Sequence, residues 1–314
     1  MMNRNFWKVI SELSFLLIIF TALLILLGAC IRLTHSGLSC PDWPLCYGLW
    51  LPTYSKIHLL PEIHYGFSQV FFEWSHRFLA GTLIGGLLFS ILCYSLFSFL
   101  RFQQFSFSLF AFLIILVLLI LVQILLGSFT VFSQNESWTV ALHQIAALLF
   151  YFFLWGLFTS SHFHFSVSSS FSLKVFGFFS FFLLLITMAS GAIMAKTGAS
   201  LMCTTWPLCQ EFNLETLKDP LFQLHLSHRL LSLISLLFHL FLFWKIRHHP
   251  FFYYVKWLLL ILFGQILYGG FLIFSAVPFG ASVFHILFSL ICISISSSLF
   301  WKLVLPKKKD EMPN

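Results

Sequence analysis

The sequence contains very little charge. Only 9% of its 314 residues are Asp, Glu, Lys or Arg, and only ten are acidic, whereas soluble domains carry about 25% charged residues. Hydrophobic residues make up 60% of the chain and include 43 Phe. So little polar sequence separates the apolar stretches that almost no chain remains for a soluble domain.

The first apolar run lacks the pattern of a cleavable leader. The first apolar run follows Arg4 and Lys8, but it is long enough to span a bilayer and lacks a small-x-small cleavage site, so we expect it to remain as a helix. Seven further runs reach the roughly 20 residues that a membrane-spanning helix needs. The sequence therefore predicts an all-α integral membrane protein with eight transmembrane helices. The predicted spans are 11–30, 71–99, 106–128, 138–159, 172–194, 222–245, 252–274 and 281–303.

The basic residues predict the orientation in the membrane. With the N-terminus inside, eleven of the 17 Lys and Arg residues fall on the cytoplasmic side. We therefore expect a multi-pass protein of the bacterial inner membrane with cytoplasmic N- and C-termini, and with Lys307 to Lys309 against the lipid of the inner leaflet. The sequence shows no Arg-rich, Ser-rich transit segment, so a bacterial membrane is expected rather than the membrane of an organelle. The net charge of +7 reflects this topology and does not indicate nucleic-acid binding.

The chain contains an internal repeat. Residues 28–46 and 191–209 are both 19 residues long, begin Gly-Ala and end Cys-x-x-Trp-Pro-Leu-Cys. Each copy is followed by a Gln-Ile-Leu-x-Gly segment and then, 20 residues after the Gln, by His143 or His285. Four landmarks in one order indicate a duplicated unit, and an even number of spans between equivalent points gives both copies the same orientation.

This repeat predicts two pseudo-symmetric four-helix bundles in tandem, related by an axis along the membrane normal. Residues 1–160 form the N-terminal half and residues 172–305 the C-terminal half. A cytoplasmic linker at 161–171 joins them, and a cytoplasmic tail at 306–314 follows.

Each half carries one Cys-x5-Cys pair in the loop after its first helix. The pairs are Cys40 with Cys46 and Cys203 with Cys209. Both loops are predicted to lie outside, where oxidising conditions let disulfides persist. Two roles remain open: a structural disulfide, or a redox-active one that accepts electrons or exchanges with a thiol partner. Zinc is disfavoured, because one pair offers two thiolates and a structural zinc site uses four ligands.

Four histidines lie at a similar depth below the outer ends of the predicted helices. They are His76, His143, His228 and His285, and each half holds one on its second helix and one on its fourth. Facing helices of a bundle are the usual place for a cofactor, and two neutral imidazoles form the axial pair of a low-spin haem. A lone membrane histidine is more often a hydrogen-bonded core residue or a proton relay, but the duplicated pattern favours haem.

Charged residues flank the first histidine of each half. Arg77 and Arg229 follow it directly, and because arginine forks onto carboxylates, we expect them to bind haem propionates unless they only anchor the helix at the membrane boundary. Glu73 precedes it by three residues and could exchange a proton there, or simply pair with Arg77. The second half has His225 instead of the acid. We infer that the first half is the reaction site and the second carries electrons.

At these residues the sequence resembles the heme A synthase family over nearly its whole length. The shared features are the eight spans, Arg-Leu-Thr-x-Ser-Gly-Leu-Ser-Cys-Pro-Asp-Trp-Pro-Leu-Cys at 32–46, Glu-x-x-His-Arg at 73–77, Ser-His-Arg at 227–229, and the later histidine of each half. The loop and the Glu-x-x-His-Arg motif together make this signature specific. His35 departs from it, since a small residue is expected there, and adds a candidate ligand without an assigned role.

The resemblance implies an oxidoreductase that converts heme O to heme A, oxidising the C8 methyl group to formyl by two successive hydroxylations with water as the oxygen source. His76 and His143 would flank the substrate haem, and Glu73 would assist the chemistry. His228 and His285 would hold a permanent haem b. The first disulfide would serve the first half, as a candidate for electron delivery, and the second would support the second half. The resemblance also implies a homo-oligomer that works beside heme O synthase in porphyrin biosynthesis and cytochrome oxidase assembly.

Two other functions use the same residues. A membrane electron-transfer cytochrome with two bis-His haems, reacting with quinol, would have equivalent halves, and Glu73 opposite His225 argues against it. A haem-handling transporter or chaperone would more often have inverted repeats and helices broken at mid-membrane, and neither is visible in the sequence.

Overall fold

The structure is a computed structural model that describes residues 4–59, 64–103, 106–162, 169–210 and 213–305. The predicted tail at 306–314, with Lys307 to Lys309, lies outside the described residues, as does most of the predicted linker, at 163–168.

Within these ranges, eight helices are long and apolar enough to cross a membrane, which confirms the eight predicted spans. They are α1 Arg4–Leu33, α2 Phe67–Phe102, α3 Phe107–Phe132, α4 Ser137–His162, α5 Phe171–Thr197, α6 Pro220–Lys245, α7 Phe252–Phe274 and α8 Phe279–Val304. The protein is thus an all-α, multi-pass membrane protein. Most helices extend a few residues beyond the predicted spans, because boundary residues of mixed polarity continue the helical hydrogen bonding past the apolar run.

Local capping signals mark several helix ends. Asp219 accepts a hydrogen bond from a first-turn amide of α6, and Ser106 and Ser170 do the same for α3 and α5. Helix α5 ends at Gly198, whose φ of +76° suits glycine. These caps fix where the loops begin, and therefore how deep the following residues lie in each helix.

Helix α2 contains a π-helical segment at Ala80–Ile84, four residues after His76. Such segments shift the register of the side chains and often occur at functional sites. Its counterpart in the repeat, α6, is an uninterrupted α-helix over Pro220–Lys245. The two halves therefore differ just beyond their first histidine.

The core lies where α1, α4, α5 and α8 meet. Helix α1 packs on α2 and α4 as α5 packs on α6 and α8, and α3 pairs with α4 as α7 pairs with α8. This pattern agrees with the duplicated sequence, while the division into two bundles remains a prediction. One pair of helices departs from the equivalence of the two halves. Helices α6 and α7 pack together, but their counterparts α2 and α3 are barely in contact.

Aromatic side chains fill the junction between α4, α5 and α8. The rings of Phe152 and Phe181 have centroids 4.0 Å apart, and the indole of Trp301 donates a hydrogen bond to the carbonyl of Phe152 at 2.7 Å. Gly156 of α4 leaves room for these rings. A Cβ atom there would lie 2.4 Å from the ring of Phe112 and 2.7 Å from that of Trp301.

Replacing Gly156 should therefore loosen this junction. We expect Gly156→Val to lower the free energy of unfolding by about 1 to 3 kcal/mol, the usual effect of overpacking, and to lower the melting temperature in detergent. The matched control is Gly264→Val in α7, where a Cβ atom would meet nothing within 4 Å. Equal melting temperatures for the two variants would contradict this account of the packing.

Candidate functional site

The four candidate histidines lie at one level of the bundle. His76, His143, His228 and His285 come six to nine residues after the first residue of their helices, a depth of about 9 to 14 Å. They lie toward the end of the bundle that carries the two Cys loops, which we call the disulfide end. His76 is within electrostatic range of His143, and His228 of His285.

Each of these histidines packs its ring against a glycine of a neighbouring helix. The pairs are Gly28 with His76, Gly127 with His143, Gly191 with His228, and Gly269 with His285. A Cβ atom built on these glycines would lie 2.9 to 3.5 Å from the ring Cε1 atom, inside or at the limit of ordinary contact. The four glycines occupy equivalent positions in the two repeats, so each half contains the same pair of cradles.

These cradles shield one ring nitrogen. Nδ1 of His76, His143 and His285 is buried, and Nδ1 of His228 lies 2.9 Å from the hydroxyl of Ser190. The side chains nevertheless keep some exposed surface. Each half thus offers two imidazoles whose Nε2 can face a ligand, and these residues fit the axial ligand set of a haem.

Both Cys pairs form disulfides. The Cα atoms of Cys40 and Cys46 are 4.7 Å apart, and those of Cys203 and Cys209 are 5.3 Å apart. The predicted pairing is confirmed. Within the described residues, no group of three His, Cys, Asp or Glu side chains is placed to hold a metal ion.

Arg77 holds the first disulfide loop in place. Its guanidinium donates hydrogen bonds of 2.5 to 2.9 Å to the backbone carbonyls of Cys40, Asp42 and Leu45, and it pairs with Glu73. Four bonds on Nη1 and Nη2 thus bind the side chain to the loop and the neighbouring turn. Its expected contact with a haem propionate remains a prediction.

Glu73 is buried, with 5% of its surface exposed. One carboxylate oxygen pairs with Arg77, and the other accepts hydrogen bonds from the hydroxyl of Ser39 at 3.0 Å and the backbone amide of Cys40 at 2.9 Å. The ion pair considered from the sequence is therefore present. In addition, the acid is bonded directly to a residue that forms the disulfide, which fixes its carboxylate one turn from His76.

The second half repeats this arrangement without the acid. Arg229 donates to the backbone carbonyl of Cys203 at 3.2 Å and, through Nε, to Nε2 of His225 at 2.8 Å. His225 is buried, and its Nδ1 lies 2.9 Å from the carbonyl oxygen of Ala199. An arginine thus secures each disulfide loop, while the residue four positions before it carries a carboxylate in one half and an imidazole in the other.

Sequence reasoning missed some residues near the first pair. Arg32 of α1 donates a hydrogen bond at 2.7 Å to Gln144, which directly follows His143. Arg32 lies in the loop motif at 32–46, but the motif alone predicts no role for its side chain. The cradle glycines were visible as landmarks of the repeat, although their contacts were not. His35, the additional candidate ligand, is exposed in a turn with φ +54°, and nothing here assigns it a role.

Comparison with known proteins gives consistent matches. A sequence model of the COX15-CtaA family, described as cytochrome oxidase assembly protein, matches residues 11–296. The heme A synthase of Geobacillus kaustophilus is 28% identical over 287 residues, covering 83% of this chain and 81% of that protein. Shorter matches are to the heme A synthases of Shewanella oneidensis, 42% identical over 72 residues, and Flavobacterium psychrophilum, 35% identical over 103 residues. These cover 21% and 27% of this chain, and 22% and 30% of those relatives.

The cradles predict a sensitive position at Gly191. We expect Gly191→Ala to displace the ring of His228, because the added Cβ atom would lie 2.9 Å from Cε1, and so to lower the haem content and change the low-spin absorption spectrum of the purified protein. Gly264→Ala in α7 makes the same chemical change in open space and should leave both unchanged. Wild-type haem content and spectrum in Gly191→Ala would exclude the cradle as a constraint on the ligand.

Proposed function

Because the chain belongs to the COX15-CtaA family of cytochrome oxidase assembly proteins, we propose that it is a heme A synthase, an oxidoreductase that oxidises the C8 methyl group of heme O to formyl. The observation that carries this proposal is the set of four histidines held at one level in glycine cradles, two in each half. Two haem-sized ligands are what such a set fits, one as substrate and one as cofactor. A pure electron-transfer cytochrome would have no use for the differences between the halves.

The first half is proposed as the substrate site and the second as the site of a resident haem b. Unpartnered buried polar atoms gather around the first pair, among them Nε of Arg32 and Oε1 of Gln123. In the second half, the counterpart Gln265 bonds Ser289 and Cys292. Buried polar atoms without a protein partner can bind the polar edge of a ligand, and a ligand that binds and leaves, as a substrate does, would leave them unpaired in between.

The weak contact between α2 and α3 supports the same assignment. Heme O is lipid-soluble and would reach the first half from the bilayer, and two helices that barely touch could separate to let it enter laterally. The corresponding helices of the second half, α6 and α7, pack together, as suits a cofactor that stays bound.

In this proposal the residues have separate tasks. His76 and His143 orient the substrate, and His228 and His285 hold haem b, which supplies one-electron transfer when bound. Oxidising a methyl group to formyl with water removes two pairs of electrons together with their protons. Glu73 is one turn from His76 and is the buried acid among the described residues of the first half, so it is the residue that we assign to proton uptake.

The disulfide between Cys40 and Cys46 is assigned a positioning role. Its loop supplies the amide and hydroxyl donors that orient Glu73. We place the disulfide end outside the cytoplasm, where the bonds persist, and both termini inside. Heme O synthase, cytochrome oxidase assembly and a homo-oligomer follow from the family as further proposed partners.

A substitution can separate proton uptake by Glu73 from the structural role of its ion pair with Arg77. We expect Glu73→Gln to lower heme A formation about 100-fold or more, because the amide keeps a hydrogen-bond acceptor but cannot take up a proton. The b-type spectrum should persist in this variant and be lost in His228→Ala. Pigments extracted from cells supplied with heme O provide the measurement.

Glu12→Gln serves as the control, because Glu12 is an exposed carboxylate at the other end of the bundle, paired with Lys8. It should form heme A at the wild-type rate. Normal turnover in Glu73→Gln would remove the acid from the chemistry and leave it as an anchor of the loop.

A further inference from the structure

A polar pair links α1 and α4 beside the first two histidines. Arg32 lies four residues after Gly28, one turn nearer the disulfide end on the same face of α1, and its Nη1 donates to Oε1 of Gln144 at 2.7 Å. The amide group of Gln144 is oriented from its other side, because its Nε2 donates to the carbonyl of Met188 at 3.4 Å. Gln144 thus holds the guanidinium at the rim of the first site.

The second half has no such pair. The repeat aligns Arg32 with Ala195, and Gln144 with Ile286. The arginine and the glutamine thus occur in the first half without an equivalent in the second. Their position next to Gly28 and His143 connects them with the ligand of that half.

Among the described residues, the charge of Arg32 has no counter-ion. The ion pairs among the described residues are Lys8 with Glu12 and Arg77 with Glu73, so no described carboxylate lies within 4 Å of Arg32. Its Nε atom is buried without a partner, and its observed hydrogen bond is to a neutral amide. A half-buried guanidinium in this state is costly unless an anion joins it. Arg77, which also lies near the disulfide end of this half, bonds the disulfide loop instead.

We propose that Arg32, positioned by Gln144, binds a carboxylate of the ligand of the first half. Resting on the proposed function, that carboxylate is a propionate of heme O. A porphyrin held only through axial ligands can rotate about their axis, so a fixed propionate selects which ring methyl group faces Glu73. Arg32 is thus a specificity-determining residue for the C8 position.

The test compares heme O with its propionate dimethyl ester, which lacks the anion. Wild-type protein in detergent should bind heme O about tenfold or more tightly than the ester, the usual effect of a charge-assisted hydrogen bond. Arg32→Gln should bind both with the affinity that the wild type shows for the ester, and Arg32→Lys should fall between. Lys56→Gln removes an exposed cation of the loop and should behave as the wild type.

A second variant tests the same contact independently, in case Arg32→Gln misfolds. Gln144→Glu places a carboxylate against Arg32 and should abolish the preference for heme O over the ester while leaving the melting temperature near that of the wild type. Any formyl product that Arg32→Gln still makes should include isomers oxidised at other ring methyl groups.

The outcomes separate the two proposals. Equal affinity of the wild type for heme O and its ester overturns the role of Arg32, even if heme A is formed. An unchanged preference in Arg32→Gln or Gln144→Glu overturns it as well. If the wild type prefers heme O to the ester but never produces heme A, the proposed function fails and the carboxylate contact stands.

Discussion

The close approach of each histidine ring to a helix backbone is the constraint on which the site depends. A ring that lies against a glycine requires the two helices to pack tightly at that level, and a single methyl group would occupy the space. Glycine within a helix costs about 1 kcal/mol relative to alanine, so four glycines at equivalent positions lower the stability of these helices substantially. In return, backbone contact defines the ring positions before any ligand binds, which lowers the entropy lost on binding.

Duplication makes the differences between the halves informative. Both halves share the cradles, the disulfide loops and the arginines that hold them, so these features belong to the common scaffold. The π-helical segment at 80–84, the loose contact of α2 with α3, Glu73 and the pair of Arg32 with Gln144 occur in the first half and have no counterpart in the second. These departures all lie in the first half, which supports its proposed role as the substrate site.

The spans and the disulfide pairing could be predicted because they follow from local sequence, namely apolar length and Cys spacing. The partners of Arg77 could not, since three of them are backbone carbonyls of a loop some 30 residues earlier, and no residue type marks a carbonyl as an acceptor. Arg32 was overlooked because a cation at a helix end also serves as a membrane-boundary residue. The cradle glycines were found as landmarks, but only the packing of two helices distinguishes a glycine that makes room from one that faces open space.

Comparison of Glu73 with His225 separates two roles that the sequence left as alternatives. If the acid served only to hold the arginine against the disulfide loop, its counterpart would have to supply the same charge. His225 instead accepts a hydrogen bond from Arg229, and that arginine still reaches the carbonyl of Cys203. A neutral acceptor is therefore sufficient to secure a loop of this kind. A carboxylate at Glu73 exceeds what the scaffold needs, which supports the proposed role of this residue in proton transfer.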